Sequence, residues 1–154
     1  MNTGKKFEAL IKESADLLGI DCTRFKDAGF TGEKQSSKRF TIKNMCDFIL
    51  FNGHTLYYIE AKSGKTSITF DRLTQQDELE KKRKRNFLGV RAGYLFEIKG
   101  KWYYLSSGKI EELIQQTGKK SFNCNDLEDV GAICVPKYIP AKARKARLDL
   151  RVIG

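Results

Sequence analysis

The residues best suited to chemistry lie in one predicted β-hairpin, whose two apolar strands are joined by an Asn-Gly pair at 52–53. Asn-Gly is a strong signal for a two-residue turn, and such a turn would place Asp47 opposite Tyr58. Opposed residues share a face and side chains alternate along a strand. Asp47, Glu60 and Lys62 are therefore predicted to project from one side of the sheet, with Asp47 diagonal to Glu60 at about 7–8 Å.

Two carboxylates at this separation can share one hard cation, whose oxygen ligands lie at roughly 2.0–2.6 Å. Asp47, Glu60 and Lys62 would then form an arrangement suited to cutting phosphodiesters. The alternative is a solvated strand face, since Asp followed by Glu-x-Lys is a short pattern. Both strands, however, are apolar on both faces, which is typical of central strands. Charged residues seldom occur in such strands unless they are paired or bound to metal.

The composition indicates a basic globular protein with a polyanionic partner. The chain has 154 residues, a 40% hydrophobic content and a formal net charge of +10. It is long enough for one domain with a real core, and its charge favours nucleic acid over a membrane surface. The four cysteines lack metal-ligand spacing and His54 is the only histidine, so a structural zinc site is not expected. Reduced cysteines and a cytoplasmic location are expected.

The positive charge is concentrated in a predicted helix, in a polar loop before the hairpin and in the C-terminal tail. The first two clusters supply the candidate DNA-binding residues, which are Lys34, Lys38, Arg39, Lys43, Lys81, Lys82, Arg83, Lys84 and Arg85. Such clusters around an acidic centre favour a DNA channel, although a charge run can also be a solvated face.

Two predicted helices carry further candidates. In the helix at 4–18, Glu8 lies at the margin of the apolar stripe, where it either enters a site at the edge of the core or is an ordinary boundary glutamate. In the helix at 70–88, Gln76 either orients a water or a phosphate or forms a hydrogen bond at the core margin. The remaining pattern predicts a strand at 21–27, a hairpin at 91–98 and 101–106, a short helix at 107–116 and a brief strand at 132–135.

This order of elements predicts an α/β fold with a mixed central sheet flanked by helices. The chain resembles the PD-(D/E)XK nuclease superfamily and, within it, the RecU-type Holliday junction resolvases. The resemblance is carried by GKKFE at 4–8, the Asp47 strand, EAKS at 60–63, the glutamine helix, GKKSF at 118–122, LE at 127–128 and LDL at 148–150. Cys46 stands where the motif has its leading proline. The family's histidine beside the helix glutamine is missing, which leaves Gln75 as a competitor of Gln76.

The resemblance implies a restriction-endonuclease-like fold with a catalytic set of Glu8, Asp47, Glu60, Lys62 and Gln76. It implies that Glu8, Asp47 and Glu60 hold Mg²⁺, for which Mn²⁺ would substitute. It also implies a nuclease domain at 1–135, in which a basic segment at 29–44 projects into the centre of a DNA junction. Residues 136–154 are predicted to form a basic C-terminal tail.

The expected partners are branched DNA with four arms and a second copy of the chain, in a bacterial or phage-infected cell. No membrane and no nucleotide cofactor are expected, because the sequence contains neither a span of about 20 apolar residues nor a phosphate-cradling glycine-rich loop. Three alternatives remain open. They are another PD-(D/E)XK nuclease that cuts duplexes, flaps or single strands, a non-catalytic DNA-binding module of the same fold, and an RNA-binding protein using Trp102, Tyr103 and Tyr104. These aromatic residues are better interpreted as sheet packing.

Overall fold

A computed structural model of the protein describes residues 3–25, 46–85, 89–139, 141 and 145–154. The predicted projecting segment at 29–44, with Lys34, Lys38, Arg39 and Lys43, lies outside these residues. The strands of the described part are β1 (Asp21–Arg24), β2 (Phe48–Phe51), β3 (Leu56–Gly64), β4 (Ile68–Thr69), β5 (Val90–Ile98), β6 (Lys101–Ser106), β7 (Ser121–Phe122), β8 (Ile133–Val135), β9 (Lys137–Tyr138) and β10 (Arg147–Leu148). The helices are α1 (Thr3–Leu17), α2 (Gln76–Arg85), α3 (Ile110–Thr117) and α4 (Cys124–Asp129), with 3₁₀ turns at Phe70–Arg72, Ser107–Lys109 and Leu150–Ile153.

The central sheet has six strands in the order β1-β2-β3-β5-β6-β8. All neighbours are antiparallel except β3 and β5, which pair in parallel along nine residues each. A parallel pair needs a crossover connection, and α2 lies in the segment that joins these two strands. The mixed sheet flanked by helices confirms the fold predicted from the order of elements.

The hairpin between β2 and β3 has a different register from the predicted one. Phe51 pairs with Leu56 and Ile49 with Tyr58, so the loop spans the four residues 52–55. The prediction of a two-residue turn was wrong because the Asn52 side chain closes a wider loop. Its Oδ1 accepts hydrogen bonds from the backbone N–H groups of His54 at 3.0 Å and Thr55 at 2.8 Å. The shift is two residues, so every side chain keeps its predicted face.

Two apolar cores lie on opposite faces of the sheet, because side chains alternate along each strand. On the face covered by α1, here called the α1 face, Phe7 and Ile11 of the helix belong to one core with Phe48, Leu50 and Ile59. On the opposite face, here called the α2 face, the buried side chains belong to a second core. That core includes Leu79 of α2, Leu113 of α3, Tyr94 and Phe96 of β5, and Phe122 of β7.

Two helices differ from the sequence pattern, and the C-terminal residues, whose order the pattern left open, pack onto the sheet. The helix predicted at 70–88 starts with a 3₁₀ turn, and α2 itself begins only at Gln76. Helix α4 was not predicted, although Asn123 and Asp126 form a capping box at its start. The C-terminal residues Leu148, Leu150 and Ile153 are buried in the core of the α1 face. None of the helices in the described ranges is long and apolar enough to cross a membrane.

Candidate active site

The first acid of the site, Asp47, immediately precedes β2 and is held by hydrogen bonds to the backbone of β3. Its backbone N–H donates to the Ile59 carbonyl at 3.0 Å, and its Oδ2 accepts from the Ala61 N–H at 2.9 Å. Phe48, which pairs with Ile59, is the first residue of β2 in its ladder with β3, so Asp47 lies just before that ladder. Its side chain nevertheless reaches Glu60, because the two carboxyl groups are hydrogen-bonded to each other.

The second acid, Glu60, lies in the middle of β3 and is only 4% exposed. Burial, reinforced by the negative charge of Asp47, raises the pKa of the Glu60 carboxyl to about 7. A hydrogen bond between the two carboxyl groups also favours the protonated form of Glu60, whereas the ammonium of Lys62 opposes it. A buried carboxylate beside another carboxylate is unfavourable by itself, so this pair is suited to a positively charged ligand.

Lys62 completes the cluster from the next outward position on the same face of β3. Its Nζ lies 3.0 Å from Glu60 Oε1, and its side chain is 20% exposed. The alternation of β3 sends Glu60 and Lys62 to the α2 face, while Ile59 and Ala61 enter the core of the α1 face. The structure therefore brings together Asp47, Glu60 and Lys62.

Glu8 is not gathered with these residues. It lies on α1, on the other side of the sheet, where Arg24 of β1 donates a hydrogen bond to its carboxylate. Arg24 pairs with Phe48 in the sheet, and Phe48 belongs to the core of the α1 face. In the described part of the chain, no group of three or more His, Cys, Asp or Glu side chains is placed to hold a metal ion. Sequence reasoning missed Arg24, because its pairing with Glu8 depends on the packing of α1 against β1.

The two glutamine candidates have different surroundings. Gln76, at the first turn of α2, donates from Nε2 to the Ser107 carbonyl at 2.7 Å, which ties its amide to the 3₁₀ turn after β6. Gln75 immediately precedes the helix and is 9% exposed. Its buried Oε1 has no hydrogen-bond partner in the structure, and neither does Oε1 of Gln76. The sequence could not separate them, since the choice depends on where α2 begins.

Two further buried groups surround the acids. Cys46 is 1% exposed, and burial, with a smaller contribution from the charge of Glu60, raises its thiol pKa to about 12. Its Sγ donates to the Phe48 carbonyl at 3.2 Å, so it remains a neutral packing residue. Tyr94 pairs with Glu60 across β3 and β5, and its buried hydroxyl has no hydrogen-bond partner in the structure.

The basic run of α2 is partly neutralised by its own helix. Lys81 is paired with Glu78 at 3.0 Å, and Arg83 with Glu80 at 2.9 Å. Glu80 also accepts a hydrogen bond from the Ser107 hydroxyl at 2.5 Å, which links α2 to the end of β6. Lys84 is exposed.

The chemistry of Asp47 and Glu60 fits a hard divalent cation. Mg²⁺ is usually bound through one or two carboxylates together with water and substrate phosphates, not by a cage of protein ligands. Asp47 and Glu60 supply two such carboxylates, and a cation between them would relieve the repulsion that contributes to the raised Glu60 pKa. The residues present therefore fit a magnesium ion without a third protein carboxylate.

Comparisons with known proteins identify the fold. No protein-family model and no curated protein sequence matches the chain. A solved structure that does match is Hjc from Archaeoglobus fulgidus, with a TM-score of 0.55. The protein has the fold of Hjc. The likeness covers 85% of this chain and 95% of Hjc at 18% sequence identity, so it concerns the fold alone. Hjc is described as a Holliday junction resolvase from an archaeal hyperthermophile.

Proposed function

We propose that the protein is a metal-dependent endodeoxyribonuclease that selects branched DNA and resolves four-way junctions by symmetric phosphodiester hydrolysis. The observation that carries the proposal is the cluster of Asp47, Glu60 and Lys62 on one face of the sheet. The Hjc-like fold supports the same conclusion. A RecU-type enzyme, as the sequence motifs imply, is the finer form of this proposal.

Asp47 and Glu60 would hold Mg²⁺, or Mn²⁺ in its place, and the bound ion would polarise the scissile phosphate and lower the pKa of a water. The Ala61 N–H fixes one oxygen of Asp47, which orients the carboxylate before any ligand binds. The ammonium of Lys62 lies beside Glu60 and is partly exposed. It would stabilise the negative charge that develops on the phosphate in the transition state.

Two roles remain proposals with different support. Glu8 is a proposed third carboxylate, which would have to exchange its contact with Arg24 for the site. Gln75 is better supported than Gln76 as the auxiliary glutamine, because the amide of Gln76 is tied to the Ser107 carbonyl, whereas the Oε1 atoms of both residues are buried and unpartnered. An auxiliary glutamine would position a water or a phosphate oxygen beside the acids.

The substrate geometry suggests how two sites would act together. A four-way junction has two-fold symmetry, and a symmetric dimer would supply two active sites related by the same symmetry. The net charge of +10 would draw the protein to the phosphate backbone without reading bases, so affinity should fall steeply with salt. A monomeric mass in light scattering at micromolar protein concentration would contradict the dimer.

The proposal is tested by a cleavage assay on an immobile four-way junction and on a linear duplex with the same arm sequence. Mg²⁺ should produce paired, symmetric nicks in the junction alone. EDTA and the Asp47→Asn variant should abolish cutting while binding, measured in EDTA, is retained. Binding without cleavage under all metal conditions would refute the nuclease and favour a binding module of the same fold. Equal cutting of both substrates would refute junction selectivity.

A further inference from the structure

A cavity of about 700 Å³ opens at the end of the sheet where β5 begins and β6 ends. Its described lining consists of Arg83, Lys84, Val90, Arg91, Ala92, Tyr104 and Ser106. Three of these side chains are cationic, two carry a hydroxyl, and none of the lining residues that the structure describes carries a carboxylate. Cations that share a concave surface repel one another to the extent that neighbouring carboxylates do not compensate them, and an anion bound there would relieve that repulsion.

The cations reach the cavity from both faces of the sheet. Arg83 and Lys84 belong to α2, which packs on the α2 face. Arg91 pairs with Tyr57 in the sheet, and Tyr57 lies in the core of the α1 face together with Tyr104. The cavity is therefore a feature of the folded sheet end, and not simply the solvated side of the basic helix.

The three cations differ in how far their charge is already compensated. Arg83 is bound to Glu80 through two nitrogens, at 2.9 and 3.1 Å. Lys84 is exposed and lies close enough to Glu80 to lower the pKa of that carboxyl. Arg91 is exposed, and none of the ion pairs found among the described residues involves it. Arg91 therefore has the most charge available for a ligand.

The cavity is also close to the acidic cluster. Ala92 pairs with Tyr58, and Tyr94 pairs with Glu60, so the cavity floor begins two residues along the strands from Glu60. Two residues of a strand span roughly 7 Å, and phosphates along one DNA strand advance about 3.4 Å per nucleotide along the helix axis. A DNA strand that passes Glu60 on the α2 face and continues beyond the end of the sheet where β5 begins would bring a phosphate, a few nucleotides away, to the cavity, which Arg91 lines from the α1 face.

We infer that this cavity is a phosphate site for the DNA backbone, in which Arg91 makes the principal contact and Lys84 assists. The inference rests on the proposed nuclease function for its ligand, and it adds Arg91, which the charge clusters of the sequence did not single out. The site would fix the position of the strand without reading its bases, since phosphate contacts carry no sequence information.

The test measures binding of a fluorescein-labelled four-way junction by full-length protein in EDTA, over a range of KCl concentrations. Each lost phosphate contact reduces the slope of log K against log salt by about 1. Arg91→Ala should reduce the slope by about 1 and weaken binding several-fold near 150 mM salt. Arg91→Lys, which keeps the charge, should retain the slope. The matched control is Lys101→Ala, an exposed cation at the start of β6, which should leave the slope unchanged.

Equal slopes for Arg91→Ala and Lys101→Ala would overturn the inference. A second result would also overturn the inference. Calorimetry would show tight binding of inorganic phosphate that is lost in Arg91→Ala, while the salt slope for DNA binding did not change. The site would then bind a small anion and not DNA. Because binding is measured without metal, a failure of cleavage by the wild type would refute the nuclease but not this site. If Arg91→Ala binds the junction as the wild type does, while Asp47→Asn abolishes cleavage, the phosphate site is refuted and the nuclease is not.

Discussion

The two faces of the central sheet differ in how they treat buried polar groups. On the α1 face, Ser14 is fully buried, and its hydroxyl donates to the Leu10 carbonyl and accepts from the Leu148 N–H. The Tyr57 hydroxyl on the same face donates to the Ile153 carbonyl at 2.9 Å. These bonds fasten the C-terminal residues onto α1 and the sheet.

The α2 face buries several polar groups that are only partly satisfied. Glu60 lies beside Asp47, and the buried unpartnered side-chain atoms in the described ranges are Oε1 of Gln75, Oε1 of Gln76 and the Tyr94 hydroxyl. An unsatisfied buried polar group costs about 1–3 kcal/mol. The two faces therefore differ in hydrogen bonding, since the buried hydroxyls of Ser14 and Tyr57 on the α1 face are paired, whereas three buried atoms on the α2 face have no partner.

The largest expected effect comes from removing the ammonium group of Lys62 from the acidic cluster on the α2 face. Lys62→Ala should reduce junction cleavage by roughly 100-fold or more, because a positioned group that stabilises transition-state charge contributes about that much. Binding in EDTA should change little. Lys65→Ala, an exposed lysine just after β3, is the control for loss of charge and should retain cleavage. Equal activity of the two variants would remove Lys62 from the proposed site.

The second expected effect is a pH dependence of stability that originates at Glu60. The pKa of this carboxyl is about 7 in the folded protein against an ordinary value of 4.5, so the folded state binds the proton more tightly. Stability from this group is present below about pH 4.5 and is lost as the pH rises towards 7. In EDTA, the free energy of unfolding of the wild type should fall by up to roughly 3 kcal/mol more than that of Glu60→Gln between pH 4.5 and 8.

Chemical denaturation at several pH values measures this difference. Glu111→Gln, at an exposed position of α3, should follow the wild-type pH profile. If the free energies of unfolding of the wild type and of Glu60→Gln change in parallel with pH, the pKa of Glu60 is not raised in the folded protein. Mg²⁺ should flatten the wild-type profile, because a ligand that binds the ionised folded state stabilises it by mass action.

A smaller effect is expected on the α1 face from Ser14→Ala. The substitution leaves the Leu148 N–H buried without its partner, which should lower the free energy of unfolding by about 1–3 kcal/mol. Ser67→Ala, at an exposed loop position, should change it little. Urea denaturation measures both variants. A neutral Ser14→Ala would mean that the C-terminal strand is not fastened through this hydroxyl.

The smallest expected effect on stability comes from removing one tyrosine hydroxyl on each face, which compares the two faces directly. Tyr57→Phe removes a hydroxyl that donates to the Ile153 carbonyl and should cost about 1 kcal/mol. Tyr94→Phe removes an unpartnered hydroxyl and should be neutral or slightly stabilising in the same denaturation experiment. If Tyr94→Phe costs as much as Tyr57→Phe, the Tyr94 hydroxyl is bonded in solution and the two faces are equally satisfied.

The alternation of side chains in the sequence predicted much of the site. It placed Asp47, Glu60 and Lys62 on one face, and the two-residue error in register did not disturb this, because a shift of two preserves the face. The separation of the acids was not predictable in the same way. It depended on the register of the hairpin, which is two residues from the predicted one because the Asn52 side chain closes a four-residue loop through Oδ1.

The sequence predicted the helices less well where their contacts or their first residues depend on packing against other elements. The spacing of apolar residues identified the helix of Glu8, but the contact with Arg24 requires α1 to pack against β1. The same spacing extended the glutamine helix to residue 70, whereas α2 begins at Gln76. Consequently the pattern favoured Gln76, while the structure ties the amide nitrogen of that residue to Ser107 and leaves the Oε1 atoms of both glutamines buried without a partner.

The sequence by itself determined the fold class, the face of the acidic cluster and the excess of positive charge, because these follow from periodicity and composition. Tertiary structure decided the distance between the acids, the raised pKa of Glu60 and the partner of Glu8, because each depends on which elements pack together. It also decided that Arg91 joins Lys84 in one cavity. These two residues are seven positions apart in the chain and belong to different elements, which only the packing of α2 against the sheet brings to the same place.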